Sequence, residues 1–282
     1  MAVILDGKKL RDELLENLKS ELAGYSVMPK LVVILVGDNP ASKIYVNNKK
    51  KTAEKLGIIS EVLTYPYNVT EQELLSKINE LNSDSSVNAI LVQLPLPDHI
   101  NKNNIINAIL PIKDVDGFTP ENLGKLLAGE IPYVYPCTPK GILLLLNKYG
   151  ISVEGKHVVI VGRSNIVGKP LSVMMLNHNA TVTICHSHTK NLKEITNTAD
   201  ILVSAVGKDL IKEDMVRKDS VVIDVGIFKD EFGKTRGDVD FENVSKKVEA
   251  ISPVPGGVGP MTITSLMLNT VELYKFQNQK KL

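Results

Sequence analysis

A chain of 282 residues is too long for one small core and suits two α/β domains, with a cleft between them as a natural place for a site. Hydrophobic residues at 43% and charged residues at 23% give the balance of a packed globular protein, and no segment reaches the apolar length that spans a bilayer. Thirty-three Lys plus Arg against thirty-two Asp plus Glu leave a formal charge of +1, which excludes a broad field for attracting nucleic acid or anionic lipid.

The N-terminus meets Asp6 and then Lys8 and Lys9 before a signal-peptide hydrophobic stretch can build up, so a cytoplasmic protein is expected. Cys137 and Cys185 lie far apart in unrelated contexts, which suggests two reduced thiols rather than a disulfide framework or a Cys-based zinc site. His186 and His188 stand two apart without a carboxylate nearby, so they read as a polar loop and no metal is expected.

Asp6 can cap a helix whose leucines at 10, 14, 18 and 22 form one stripe, ended by Gly24. Leu31 to Val36 is a short, valine-rich apolar run, the pattern of a strand covered on both faces. A helix follows at Pro40 and a strand at Ile58 to Tyr65. Thr70-Glu71-Gln72-Glu73 is a capping box for a helix with Leu74, Leu75, Ile78 and Leu81 inward. Val87 to Leu94 is the next strand. This alternation predicts parallel β-α-β units through about residue 120.

Proline and glycine cluster between Gly129 and Pro139, marking a boundary before a helix with Thr138 as cap and Pro139 in its first turn. A second β-α-β unit has strands at Val158 to Val161 and Thr181 to Cys185, with a helix from about Pro170 to Asn177 between them. Further strands are expected at Ile201 to Val206 and Val221 to Val225, then a Pro/Gly-rich loop from Pro253 to Pro260 and a last helix from near Thr262. The fold class is α/β in two domains, residues 1–120 and 138–261, the second Rossmann-like with a mostly parallel sheet. The last helix, about 262–282, packs back on the first domain, and Lys280-Lys281-Leu282 reads as a frayed tail.

Between strand and helix lies Gly162-Arg163-Ser164-Asn165-Ile166-Val167-Gly168-Lys169-Pro170. Gly162 allows a tight turn, Ser164 is small enough for close phosphate approach, and the following helix N-terminus offers free N–H groups, so a dinucleotide pyrophosphate fits there. An NAD site normally ends its second strand with an acid for the ribose hydroxyl. No Asp or Glu occurs from Gly155 through Lys193, whereas Arg163, His186, Ser187, His188 and Lys190 could surround a ribose phosphate; NADP is therefore expected over NAD.

The helix at Pro40 carries Ser42, Tyr45 and Lys49 at spacings of three and four, so they project from roughly one face. Alone, with Lys49, Lys50 and Lys51 in a run, that pattern reads as a solvated basic helix. Two polar islands at strand ends change the weighing: Gln93 before Leu94-Pro95-Leu96-Pro97, and Lys113-Asp114-Val115-Asp116-Gly117, whose plainer explanation is turn chemistry.

Those islands, with Pro136-Cys137-Thr138-Pro139, Gly162 to Pro170 and Pro253-Val254-Pro255-Gly256-Gly257-Val258-Gly259-Pro260-Met261-Thr262, resemble the bifunctional methylenetetrahydrofolate dehydrogenase/cyclohydrolase family over essentially the whole chain. The resemblance implies a folate substrate between the domains, with residues 1–120 forming the folate-binding catalytic domain. Tyr45 would stack on the folate ring system, Lys49 would be catalytic, Gln93 would position Lys49, and Asp116 would bind the pterin. Ser42, Leu94, Pro95, Pro255, Gly256 and Gly257 would complete the substrate site. Gly162, Arg163, Ser164, Ser187 and Ile227 would hold NADP. It also implies a homodimer, and no synthetase domain of the kind fused to some relatives is expected after the last helix.

The implied reactions are oxidation of 5,10-methylenetetrahydrofolate and hydrolysis of the methenyl product to 10-formyltetrahydrofolate. Hydride loss needs positioning rather than a strong base, whereas attack of water needs proton management by Lys49, whose amine must be partly neutral. One alternative takes Tyr45 and Lys49 as the Tyr-x-x-x-Lys pair of a short-chain dehydrogenase acting on another small substrate. Order argues against it, since here the pair precedes the glycine turn by more than a hundred residues. The other alternative is a nonenzymatic NADP-sensing protein on the same fold.

Overall fold

The computed structural model describes residues 2–279. In chain order the elements are β1 (Val3–Ile4), α1 (Gly7–Leu22), β2 (Lys30–Val36), α2 (Pro40–Leu56), β3 (Ile59–Tyr65), α3 (Glu71–Ser83), β4 (Ala89–Val92), α4 (Lys102–Ala108) and α5 (Pro120–Leu127). They continue as α6 (Cys137–Lys148), β5 (His157–Val161), α7 (Gly168–Asn177), β6 (Thr181–Cys185), α8 (Leu192–Thr196), β7 (Ile201–Ser204) and β8 (Val221–Asp224). Last come β9 (Phe228–Lys229), β10 (Thr235–Arg236), α9 (Phe241–Val244), β11 (Ala250–Ile251) and α10 (Val258–Gln279).

The chain forms two compact units. One contains Leu14–Cys137 and the residues from Ser265 on; the other contains the residues up to Glu13 and Thr138–Thr264. These boundaries differ from the 1–120 and 138–261 division read from the sequence. The first residues go with the later unit because β1 pairs in parallel with β11, Val3 opposite Ala250. Residues 121–137 go with the earlier unit, where Val134 and Cys137 enter its core.

In the earlier unit three parallel strands run in the order β3-β2-β4. Side chains along a strand alternate between faces. Accordingly Leu31, Val33 and Leu35 of β2 enter one apolar core, together with Leu56 of α2 and Met267 and Val271 of α10. Val32, Ile34 and Val36 enter the other, with Leu74 and Ile78 of α3. Both faces are covered, as the unbroken apolar run required. Thr70 and Glu73 form the capping box at the start of α3.

In the later unit a sheet runs β1-β11-β8-β7-β5-β6, every pair parallel. Val159, Val161, Leu202 and Val222 fill the core on one side of it. Helix α6 begins at Cys137, one residue before the expected Thr138 cap, and the Thr138 hydroxyl lies 3.0 Å from that of Thr262. Helix α10 begins at Val258, earlier than expected from Thr262, and its residues from Ser265 on belong to the earlier unit. Of the expected last helix, 262–282, and the Lys280-Lys281-Leu282 tail, residues 280–282 lie outside the described residues. No helix among the described residues is long and apolar enough to cross a membrane.

Candidate active site and dinucleotide turn

Helix α2 opens with Pro40 in its first turn and Asn39 as cap, whose Oδ1 accepts the Ser42 N–H at 3.1 Å. Pro40 fits there because the first turn has no use for its missing N–H. Gly57, at φ 79°, ends the helix in the left-handed conformation that costs glycine least. Four residues apart on this rigid rod, Tyr45 and Lys49 are neighbours. Tyr45 keeps 39% of its surface exposed, enough for a ring to stack on, and partial burial raises its hydroxyl pKa. Ser42 is buried.

Lys49 is half-buried and its Nζ donates to Gln93 Oε1 at 2.9 Å. Gln93 follows β4 directly, and its backbone N–H donates to Ile34 O. Its Nε2 donates to Leu94 O at 2.7 Å. That second bond fixes which end of the amide faces Lys49, since only the oxygen can accept from an ammonium. The Leu94-Pro95 peptide is cis, and Pro95 is exposed.

The segment Lys113–Gly117 is clamped residue by residue. Lys113 Nζ donates to Leu81 O and Asp84 O. The buried Asp114 carboxyl accepts from Gly117 N, Thr119 N at 2.7 Å and Asn122 Nδ2, closing the turn. Asn269 Nδ2 donates to Val115 O and Tyr135 O, both at 2.9 Å. Gly117 sits at φ 71°, where an added Cβ would come within 3.0 Å of Val134 O. Asp116 is presented by this frame. Burial raises its pKa, the Lys49 charge opposes that shift, and Asp114 reinforces it. A small cavity beside it is lined by Ile90, Val92, Leu94, Phe118, Asp114 and Asp116. An apolar wall with a carboxyl edge suits a planar ring that offers N–H donors.

Sequence spacing pairs Tyr45 with Lys49, and the structure joins Gln93 to Lys49 by a hydrogen bond and brings Asp116 within electrostatic reach of the same amine. Asp114 does more than turn chemistry suggested, since one buried carboxyl organises six residues of chain. Asn269, on a helix about 150 residues downstream, was not singled out, and an Asn between the apolar residues Leu268 and Val271 was the available signal.

The later unit carries the glycine turn between β5 and α7. Gly162 has φ 127°, and an added Cβ would stand 2.6 Å from Ala205 O; at Gly168 one would stand 2.0 Å from Gly162 O. Both glycines are therefore required by backbone approaching backbone. Ser164 Oγ accepts the Val167 N–H and Ser164 O accepts the Lys169 N–H, curling the loop into the start of α7. Arg163 and Ser164 are exposed there, as are Ser187 just beyond β6 and Ile227 just beyond β8. All four follow the C-terminal ends of parallel strands, where doubly wound sheets bind ligands. The turn fits a dinucleotide: close-packed glycines, a helix start for the pyrophosphate, and basic and hydroxyl side chains with no acid from Gly155 through Lys193. Pro255, Gly256 and Gly257 also lie in this unit, in the loop before α10, with the Val254-Pro255 peptide cis and both glycines buried.

Comparison with known proteins bears on both units. Residues 5–116 match the tetrahydrofolate dehydrogenase/cyclohydrolase catalytic domain, and residues 136–278 match the NAD(P)-binding domain of the same family. The bifunctional protein FolD of Francisella philomiragia is 58% identical over 274 residues, covering 95% of this chain and 97% of its own. The crystal structure of the bifunctional FolD methylenetetrahydrofolate dehydrogenase/cyclohydrolase from Campylobacter jejuni superposes with a TM-score of 0.94 at 50% identity, covering 98% of this chain and 99% of that one. The Trypanosoma brucei FolD, solved with NADP cofactor and an inhibitor, gives a TM-score of 0.94 at 35% identity, with 99% of each chain covered. With likeness of this degree running through both units, the chain belongs to the tetrahydrofolate dehydrogenase/cyclohydrolase family.

Proposed function

We propose that the chain oxidises 5,10-methylenetetrahydrofolate with NADP and then hydrolyses the 5,10-methenyl product to 10-formyltetrahydrofolate. The observation that carries this reading is the Lys49–Gln93–Asp116 group: an amine held at 2.9 Å by an oriented amide, within electrostatic reach of the half-buried Asp116 carboxyl, on a chain of this family. NADP as the acceptor is supported by the acid-free stretch around the glycine turn and by the cofactor in the Trypanosoma brucei relative.

The methylene carbon of the substrate is flanked by two nitrogens whose lone pairs expel hydride and leave a methenyl cation. Bound NADP supplies the hydride acceptor; Gly162, Arg163, Ser164, Ser187 and Ile227 would hold it. Asp116 accepts from the pterin amide and amino N–H groups, and Tyr45 stacks on the ring, so the substrate is fixed before either step. In hydrolysis, water adds to the methenyl carbon. Lys49 takes one proton from that water and returns it to N5 as the carbon–N5 bond breaks, while the remaining hydroxyl proton of the adduct is released to solvent as the formyl C=O forms on N10. Gln93 keeps the amine aimed throughout.

A homodimer and a cytoplasmic location belong to the same reading, and sedimentation of the purified protein tests the first. The direct test of function supplies methylenetetrahydrofolate and NADP to the purified chain. NADPH and then 10-formyltetrahydrofolate are expected to accumulate; turnover of simple alcohols without folate oxidation would favour the short-chain dehydrogenase alternative, and binding of NADP without turnover the sensing one.

A further inference from the structure

The later unit contains two buried acids that the reaction leaves unused. Asp224 ends β8, and Asp238 lies in the segment after β10; neither exposes more than 3% of its surface. Carboxylates are expensive to bury, so their partners are informative. Asp238 Oδ2 accepts from Ser204 Oγ at 2.8 Å and from Val206 N at 2.7 Å, and its Oδ1 accepts from Lys208 N at 2.9 Å. All three donors lie in residues 204–208, where β7 ends and its loop begins. Asp224 in turn accepts from Asp238 N at 2.9 Å and Val239 N at 3.0 Å, holding the segment that delivers Asp238.

Space has been cleared for both carboxyls. A Cβ on Gly226 would lie 1.7 Å from Asp238 Oδ1, and one on Gly237 would lie 2.0 Å from Asp224 Oδ2. Burial pushes Asp224 up to about 7, against the Asp238 and Val239 N–H groups that favour its charged form. The loop so held is the one that meets the glycine turn: Ala205 O is the atom a Cβ on Gly162 would strike, and Ala205 N donates to Val161 O. A Cβ on Gly207 would stand 3.9 Å from Ile227 O, an ordinary van der Waals distance that places the loops after β7 and β8 side by side.

We propose that Asp238 is a positioning residue for the cofactor: its carboxyl fixes the loop after β7 against the Gly162 turn and thereby sets the affinity for NADP. This rests on the reading of that turn as the NADP site. An apolar residue in its place would leave the Val206 and Lys208 N–H groups without their acceptor, and an amide could not accept all three bonds because its nitrogen only donates.

The test is Asp238→Asn, assayed beside the parent enzyme. KM and Kd for NADP are expected to rise about tenfold, the equivalent of about one and a half lost hydrogen bonds. The kcat should change by less than about threefold, KM for methylenetetrahydrofolate should stay at the parent value, and hydrolysis of added methenyltetrahydrofolate should persist. A merely structural loss would depress every one of these together. A folded variant whose NADP affinity lies within about twofold of the parent overturns the proposal. Should Asp238→Asn fail to fold, Ser204→Ala removes one of the three donors and decides the matter: weaker NADP binding supports the assignment, and parental binding overturns it. A parent enzyme that binds no NADP would overturn the functional reading itself and this assignment with it.

Discussion

Asp116 is the residue whose environment and role are most tightly linked. It must be ionised to accept two N–H bonds from a pterin, yet burial raises its pKa, so on acidification it takes up a proton earlier than an ordinary aspartate. Its acceptor capacity is full above that raised pKa and lost as pH falls through it. The acid limb of kcat/KM for methylenetetrahydrofolate is therefore expected above the usual aspartate value of about 3.9. Asp116→Asn should remove that limb and raise KM about tenfold to a hundredfold, the loss of one charge-assisted contact of about 1.5–3 kcal/mol. A limb at the ordinary value, unchanged in the variant, would count against pterin binding there. Much at this scale was legible: helical spacing pairs Tyr45 with Lys49, and Gln93 and Asp116 stand out as polar groups at strand ends. Asp238 was not legible, because two of its three donors are backbone N–H groups some thirty residues away, which no side-chain pattern encodes.

The glycine turn is where an element, rather than a side chain, carries function. Gly168 opens α7 with its Cα against Gly162 O, so Gly168→Ala forces backbone apart from backbone and displaces the start of the helix. Titration of that variant should show NADP affinity reduced at least about tenfold with the strands of the unit intact by circular dichroism. Parental affinity would mean that the turn does not grip the pyrophosphate. The main strands and helices were readable because each has a local cause. The β2 run alternates between two cores, Thr70 and Glu73 cap α3 reciprocally, and Gly57 stops α2. The two-residue strands were not, since β1 exists only by pairing with β11 nearly 250 residues later. The early start of α10 was hidden by Gly259 and Pro260 in its first turn, which read as loop.

At the scale of the whole molecule, the same long-range pairing explains why the domain boundaries differ from a linear reading. Both ends of the chain cross over: the first residues join the sheet of the later unit, and the residues from Ser265 on join the core of the earlier one. The two chemistries divide in a matching way. The Lys49–Gln93–Asp116 group belongs to one unit and the glycine turn to the other, so the proton handling of hydrolysis should be separable from cofactor binding. Lys49→Met keeps the length and apolar stem of the side chain but removes the amine. Measured with methenyltetrahydrofolate, this variant is expected to lose cyclohydrolase activity by at least about a hundredfold while NADP binds as tightly as in the parent. Hydrolysis at the parental rate by a folded, NADP-binding Lys49→Met enzyme would contradict the account.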